Sequence, residues 1–227
     1  MISISDLRRM LLAFALPDSC LSCGMPLGAG ERHVCPACLL RLTLGREPGS
    51  VSTGQGKLTV AFALDFSGPA GDLVRALKYG GRLSVASLLA RLAAPTARRV
   101  AVDGTDRVVP VPLHAARLRE RGFNQSRAIA SLLAEDLGLE LADGLQRIRP
   151  TRSQTGLSEP EREKNVAGAF GGMGRLAGLR VLLVDDVVTT GATLLAAAQA
   201  ALADGAAAVA AVAVAGARGG APRGESG

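Results

Sequence analysis

Apolar positions along the chain fall into runs and repeats that predict strands alternating with helices. Ile4, Leu7, Leu11, Leu12 and Phe14 recur at helical spacing and stop at Pro17, predicting a short amphipathic helix. Leu58 to Phe66 reads as a strand, Pro69 to Leu77 as a helix stopped by Gly80-Gly81, and Ser84 to Leu92 as a second helix. Val108 to Pro112 is a short apolar strand that leads through a polar turn into an amphipathic helix over Ser126 to Leu137. A further strand is expected over Leu145 to Ile148. Val181 to Val184 is apolar, β-rich and uninterrupted, as expected of a strand buried on both faces of a parallel sheet. An Ala/Leu-rich helix follows to about Asp204. The Ala/Val run Ala206 to Gly216 then reads as a buried strand, too short to cross a membrane. Strands and helices in this alternation predict an α/β fold with an open parallel sheet.

Between these elements lie stretches without periodicity. Gly45 to Gly56, GREPGSVSTGQG, is rich in Gly, Ser and Pro and reads as a linker. Arg149 to Asn165 is a long polar passage of the kind that forms either a lid over a ligand or a solvated loop. As a lid it would bring Arg152, Arg162 and Lys164 over an anion. The tail RGGAPRGESG has the composition of a disordered segment. The expected organisation is a small module over residues 1–44, a linker over 45–56, an α/β domain over 57–216 and a tail over 217–227.

Composition narrows the ligand class. The 227 residues are 48% hydrophobic and 3% aromatic, with no Trp, so the core is aliphatic and extended base-stacking platforms are not expected. The net charge of +6 and a pI of about 9.8 suit phosphate-rich ligands or nucleic acid. Arg8-Arg9 before MLLAFALP looks like a secretory leader, but the apolar run is short and no small-x-small cleavage site follows; a cytoplasmic protein is expected.

All four cysteines lie in one stretch, as Cys20-x2-Cys23 and Cys35-x2-Cys38. Two such knuckles place four thiolates around a structural Zn²⁺; two disulfides or a redox pair are the competing readings. A reducing cytoplasm and the lack of stray cysteines favour zinc. His33 is expected to be a spectator, because four cysteines complete the shell.

Candidate chemistry concentrates in VLLVDDVVTTGAT, Val181 to Thr193. Asp185 and Asp186 follow the apolar run, and Thr189-Thr190-Gly191-Ala192-Thr193 opens the next helix. Backbone N–H groups, hydroxyls and the positive helix end suit a phosphate, and the carboxylates suit a hydroxylated sugar. The plain alternative is a strand, a turn and a helix capped by acids. In LKYGGR, Lys78 and Arg82 either face an anion or form a solvated helix end. After Pro112, a turn carries His114, Arg117, Arg119, Arg121, Asn124 and Gln125, and arginine forks of this kind fit phosphate oxygens. His114 serves either pyrophosphate or a neighbouring backbone group.

The segment Val181 to Thr193 resembles the phosphoribosyl-pyrophosphate (PRPP) signature of type I phosphoribosyltransferases. That resemblance implies that Asp185 and Asp186, as the catalytic pair, bind the ribose hydroxyls and that Val188, Thr189, Thr190, Gly191, Ala192 and Thr193 bind the 5′-phosphate. The zinc knuckles, LKYGGR, VPVPLHAARLRERGFNQS, RPTRSQTGLSEPEREKNVAGAF and VLLVDDVVTTGAT together resemble, in order, the ComF (ComFC-like) family. This implies a type I phosphoribosyltransferase fold behind a four-cysteine zinc ribbon, with structural Zn²⁺ and with Mg²⁺ accompanying PRPP. Lys78, His114, Arg117, Arg121, Asn124, Gln125, Arg152, Gln154 and Arg162 would form the pyrophosphate side and the hood. The family further implies single-stranded DNA and a ComFA-like helicase as partners in natural transformation. Hypoxanthine-type enzymes carry an Asp where Thr189 stands, which speaks against purine salvage of that type. Three readings follow: a PRPP-binding protein of DNA uptake, an active phosphoribosyltransferase of nucleotide metabolism, and a zinc-ribbon adaptor with a relic site.

Overall fold

The computed structural model of the chain describes residues 18–45, 48–54, 57–101, 104–150 and 159–217. Its centre is a six-stranded sheet in the order β1 (Gly49–Ser52), β2 (Lys57–Asp65), β8 (Ala208–Gly216), β7 (Arg180–Val188), β3 (Arg107–Pro110), β4 (Glu140–Leu141). The neighbours from β2 to β4 are parallel, and β1 runs antiparallel along the β2 edge. Alternation along each strand sends side chains to two covered faces. Leu182, Val184, Ala210, Val212 and Val108 join the helices α2 (Gly68–Gly80), α3 (Val85–Val100) and α5 (Gln125–Leu137). Val181, Leu183, Ala211, Ala213 and Val109 join α7 (Ala192–Ala203) and the hairpin of β5 (Leu145–Arg147) with β6 (Phe170–Gly172).

Connections leave the middle of the sheet in opposite directions. From β7 the chain passes through α7 to β8 on one side, while from β3 it passes through α5 to β4 on the other. The crevice between β7 and β3 is therefore the switch point of the sheet, where open α/β folds hold ligands. Helices α5 and α7 both begin there.

Three expectations change. The stretch read as a linker contains β1, paired from Gly49↔Val60 to Ser52↔Lys57. Its exposed residues are polar because it lies at a sheet edge, so no apolar run announces it. The second helix passes Leu92 and runs to Val100, through Pro95. Val85, Leu89, Ala93, Ala97 and Val100 keep one face buried, and Pro95 faces solvent, where water can satisfy the carbonyl it leaves without a donor. The last part of the polar passage is α6 (Glu159–Val166), while Arg152 and Gln154 lie outside the described residues.

The N-terminal module is fastened to the sheet domain. In its knuckle turn Cys20 N–H donates to Met25 O, and α1 (Pro36–Leu40) starts on Pro36 directly after Cys35. Cys20, Val34 and Cys38 belong to the same apolar cluster as Leu73, Val74 and Leu77 of α2. Ser22 Oγ donates to Asp72 Oδ2 on α2 at 2.7 Å. Residues 43–45 lie against β2, with Gly45 N–H on Ala63 O and Asp65 N–H on Thr43 O.

Candidate phosphoribosyl site and cysteine cluster

Strand β7 does not release its carboxylates at Val184. It stays paired with β8 as far as Val188↔Gly216, so Asp185 and Asp186 sit inside the ladder, 7% and 3% exposed. Two buried acids side by side need partners. Asp185 Oδ1 accepts from Ser126 Oγ at 2.8 Å and from the Asp186 N–H at 2.9 Å. Burial first, and the neighbouring Asp186 charge second, push the Asp185 carboxyl up to about 7, against the pull of Ser126 and Lys78. Lys78 Nζ, at the end of α2, lies 2.7 Å from Asp186 Oδ2. The ammonium supplies charge without hydrogen-bond alignment, so Asp186 Oδ2 has a counter-ion and no aligned donor. Lys78 is thus not a solvated helix end: its ammonium pairs with the inner carboxylate.

Beyond Val188 the chain turns through Thr189 and Thr190 to Gly191, whose φ of +83° is left-handed and suits only glycine at low cost. Gly191 caps α7 without a side chain, and Thr190 Oγ1 accepts from the Ala192 N–H at 3.4 Å. Val187 to Leu194 line a small concavity at the positive end of a twelve-residue helix, the geometry of an anion cradle.

The turn after β3 forms the opposite wall. His114 caps the two-turn helix α4 (Ala115–Arg121), its Nδ1 accepting from the Ala116 N–H at 3.3 Å. Of the two roles open to His114, the structure records the backbone one. Asn124 is likewise engaged by the fold: its Oδ1 accepts from the Ser126 N–H at 3.0 Å, and its Nδ2 donates to Val111 O at 3.0 Å. Gln125 Oε1 accepts from Arg121 Nη1 at 2.5 Å. Arg121 also lies over the Tyr79 ring, 5.5 Å from its centroid, which ties α4 to the end of α2. Arg117 is half-buried on α4. Arg162 is placed only as a backbone position on α6.

Two site residues escaped the sequence reading. Ser126, in the first turn of α5, donates to Asp185 across 59 residues of chain. Arg147 on β5 is half-buried, with Cζ 5.1 Å from the Phe170 ring centroid. Burial lowers its pKa, opposed by the Asp185 charge and aided by Arg117 and Arg149, so these four charges share one neighbourhood. Arg149 donates to Asn165 O and Ala167 O, closing the base of the hood passage. A cavity of about 520 Å³ lies beside this wall, lined by Leu113, Leu118, Phe123, Arg127, Asp143 and Leu145 among others. Neither Asp185 nor Asp186 nor any residue of the TTGAT loop lines it.

The four cysteine sulfurs lie within 4.8 Å of one another, with Cys23 Sγ and Cys35 Sγ 3.7 Å apart. Tetrahedral thiolates about 2.3 Å from zinc stand about 3.8 Å apart, so the cluster is compatible with a structural zinc ion. Burial opposes ionisation of the Cys20 thiol, but backbone N–H groups of Cys23, Cys35 and Ser22 bring it down to about 6. Burial pushes the Cys38 thiol up to about 12. His33 stays outside the cluster; its carbonyl accepts the Leu21 N–H at a left-handed φ of +70°. Among the described residues, no helix is long and apolar enough to cross a membrane.

Residues 124–225 match the phosphoribosyl transferase domain family. The chain is 34% identical over 212 residues to the DNA utilization protein YhgH of Salmonella typhi, covering 84% of this chain and 93% of that one. It is 26% identical over 209 residues to competence protein ComFC of Bacillus subtilis, covering 88% and 85%. Among solved structures, the glutamine PRPP amidotransferase of Bacillus subtilis matches with a TM-score of 0.43 and 24% identity, over 62% of this chain and 30% of that one.

Proposed function

The chain belongs to the ComF family of competence and DNA-utilization proteins, and from that premise we propose that it binds PRPP or a phosphoribosyl end and handles single-stranded DNA in DNA uptake. The observation that carries this reading is the pairing of Asp185 and Asp186, inside the β7 ladder, with the Gly191 cradle at the start of α7. On this reading the cradle from Val188 to Thr193 takes the 5′-phosphate and the two carboxylates take the ribose hydroxyls. Lys78, Arg117, Arg121 and Arg147 neutralise the pyrophosphate side. The hood residues Arg152, Gln154 and Arg162 close over the ligand and exclude water. Mg²⁺, arriving with PRPP, would screen the pyrophosphate oxygens while keeping several of its waters.

If transfer occurs, a nitrogen nucleophile attacks C1′ and pyrophosphate departs with the bonding electron pair. The chain's own contribution is orientation of the ribose by Asp185 and Asp186 and charge stabilisation of the leaving group. The four cysteines hold a structural zinc, and the ribbon docks a partner such as a DNA-translocating helicase. The cellular setting is the cytoplasm.

Calorimetric titration with PRPP and Mg²⁺ tests the reading. Intact protein is expected to bind, and the Asp185→Asn/Asp186→Asn variant to lose at least tenfold in affinity. Absence of binding by the intact protein overturns it. Pyrophosphate release with a panel of nucleobases then distinguishes a transferase from a binding protein. Single-strand binding should fall steeply with salt, and with neutralisation of Arg117, Arg119 or Arg121.

A further inference from the structure

The chain contains one tyrosine and no tryptophan. That tyrosine, Tyr79, is 76% exposed, although a ring of its size gains most from burial. It stands in the last turn of α2, next to Lys78, whose ammonium neutralises Asp186. The ring is nevertheless held in place. Arg121 lies over it at 5.5 Å, and Arg121 is itself anchored by Gln125. Most of the ring therefore faces water, backed on one side by a fixed guanidinium. Arg82, three residues further along the chain, is exposed, and so is Arg119 on the same short helix as Arg121.

A fixed, exposed aromatic ring amid arginines, at the mouth of a phosphate site, matches one chemistry well. An unpaired base stacks on the ring while the flanking phosphodiesters meet the cations. We propose that Tyr79 is the stacking platform for one base of a single-stranded DNA chain, with the exposed Arg82, three residues along the chain, meeting the adjacent phosphate. This rests on the DNA-handling reading above and gives it a location. The low aromatic content argues against a platform of many rings, and a single ring suffices to hold the end of a strand beside the phosphoribosyl cradle. Stacking requires the ring and not the hydroxyl, so Phe or Trp should serve at this position.

The test uses the full chain and an oligothymidylate at low salt. Tyr79→Trp installs the sole indole of the protein, and its emission should change on adding the oligonucleotide but not on adding PRPP. By fluorescence anisotropy, Tyr79→Ala should weaken oligonucleotide binding about tenfold, while Tyr79→Phe binds as the wild type does. Tyr79→Ala should keep its PRPP affinity, because Gln125 still anchors Arg121. Wild-type affinity in Tyr79→Ala, or an indole indifferent to a saturating strand, overturns the proposal and leaves DNA handling intact. Equal loss of PRPP and strand binding in Tyr79→Ala also overturns it, since the ring would then be only a brace for Arg121. A wild-type protein that binds PRPP and no strand removes the DNA reading itself.

Discussion

Asp185 carries much of the electrostatic strain of the site, and its protonation links binding to stability. Burial, and then the Asp186 charge, raise its carboxyl from an ordinary 3.8 to about 7. Folding therefore favours the neutral acid. The stability tied to that proton is fully present below about pH 4 and is lost as pH rises through about 7. Asp185→Asn keeps an oxygen for the Ser126 hydroxyl and carries no charge. Its Tm should match that of the wild type near pH 4 and exceed it by several degrees near pH 8, while PRPP binding is lost. Equal melting temperatures across that range would show that Asp185 ionises without cost. Ser126 is the positioning counterpart. Ser126→Ala leaves Asp185 Oδ1 with a single donor, the Asp186 N–H. Urea denaturation should show a loss of about 1–3 kcal/mol, with weakened PRPP binding that Ser126→Thr partly restores.

At the scale of elements, the hood hairpin hangs on one carboxylate at the far end of α7. Asp204 accepts from the N–H groups of Gly174, Arg175 and Leu176 at 2.7, 3.0 and 3.1 Å. Burial works against its ionisation, but these three donors hold the carboxyl below its ordinary 3.8. The stability it gives is present above about pH 4 and is lost as pH falls through the lowered value. Asp204→Asn should cost about 1–3 kcal/mol at neutral pH and progressively less in acid, and should speed amide exchange around residues 170–176. What the sequence made legible follows from the same contacts. The β7–α7 unit could be read because a buried parallel strand is continuously apolar and Gly191 marks the turn beyond it. Strand β1 could not, because an edge strand carries no such run. Nor could the role of Asp204, Ser126 or Arg147, since each acts on residues 23 to 59 positions away that only folding brings near. Lys78 was legible as a cation near the site and not as the counter-ion of Asp186.

At the scale of the molecule, the cysteine module and the sheet domain share one body of apolar packing. Cys20, Val34 and Cys38 sit in the cluster that includes the buried faces of α2, α3 and α5. The chain between them runs along β2 so closely that a Cβ on Gly45 would meet the Phe62 carbonyl oxygen at 1.9 Å. Two units joined by backbone pairing, a Ser22–Asp72 hydrogen bond and a common core should unfold together. A structural metal contributes folding free energy to whatever is cooperative with it. With zinc in the cluster, as proposed above, stripping it with a chelator, or Cys35→Ser, should therefore lower the single calorimetric transition of the full chain. Gly45→Ala offers the complementary perturbation: it leaves all four thiols in place, so zinc stoichiometry should hold while the same transition falls. Two separate transitions, with the upper one indifferent to zinc, would instead make the ribbon an independent module riding on the sheet domain. The Asp72 end of α2 would then be cut off from the ribbon, and metal loss would leave Lys78 and the crevice undisturbed.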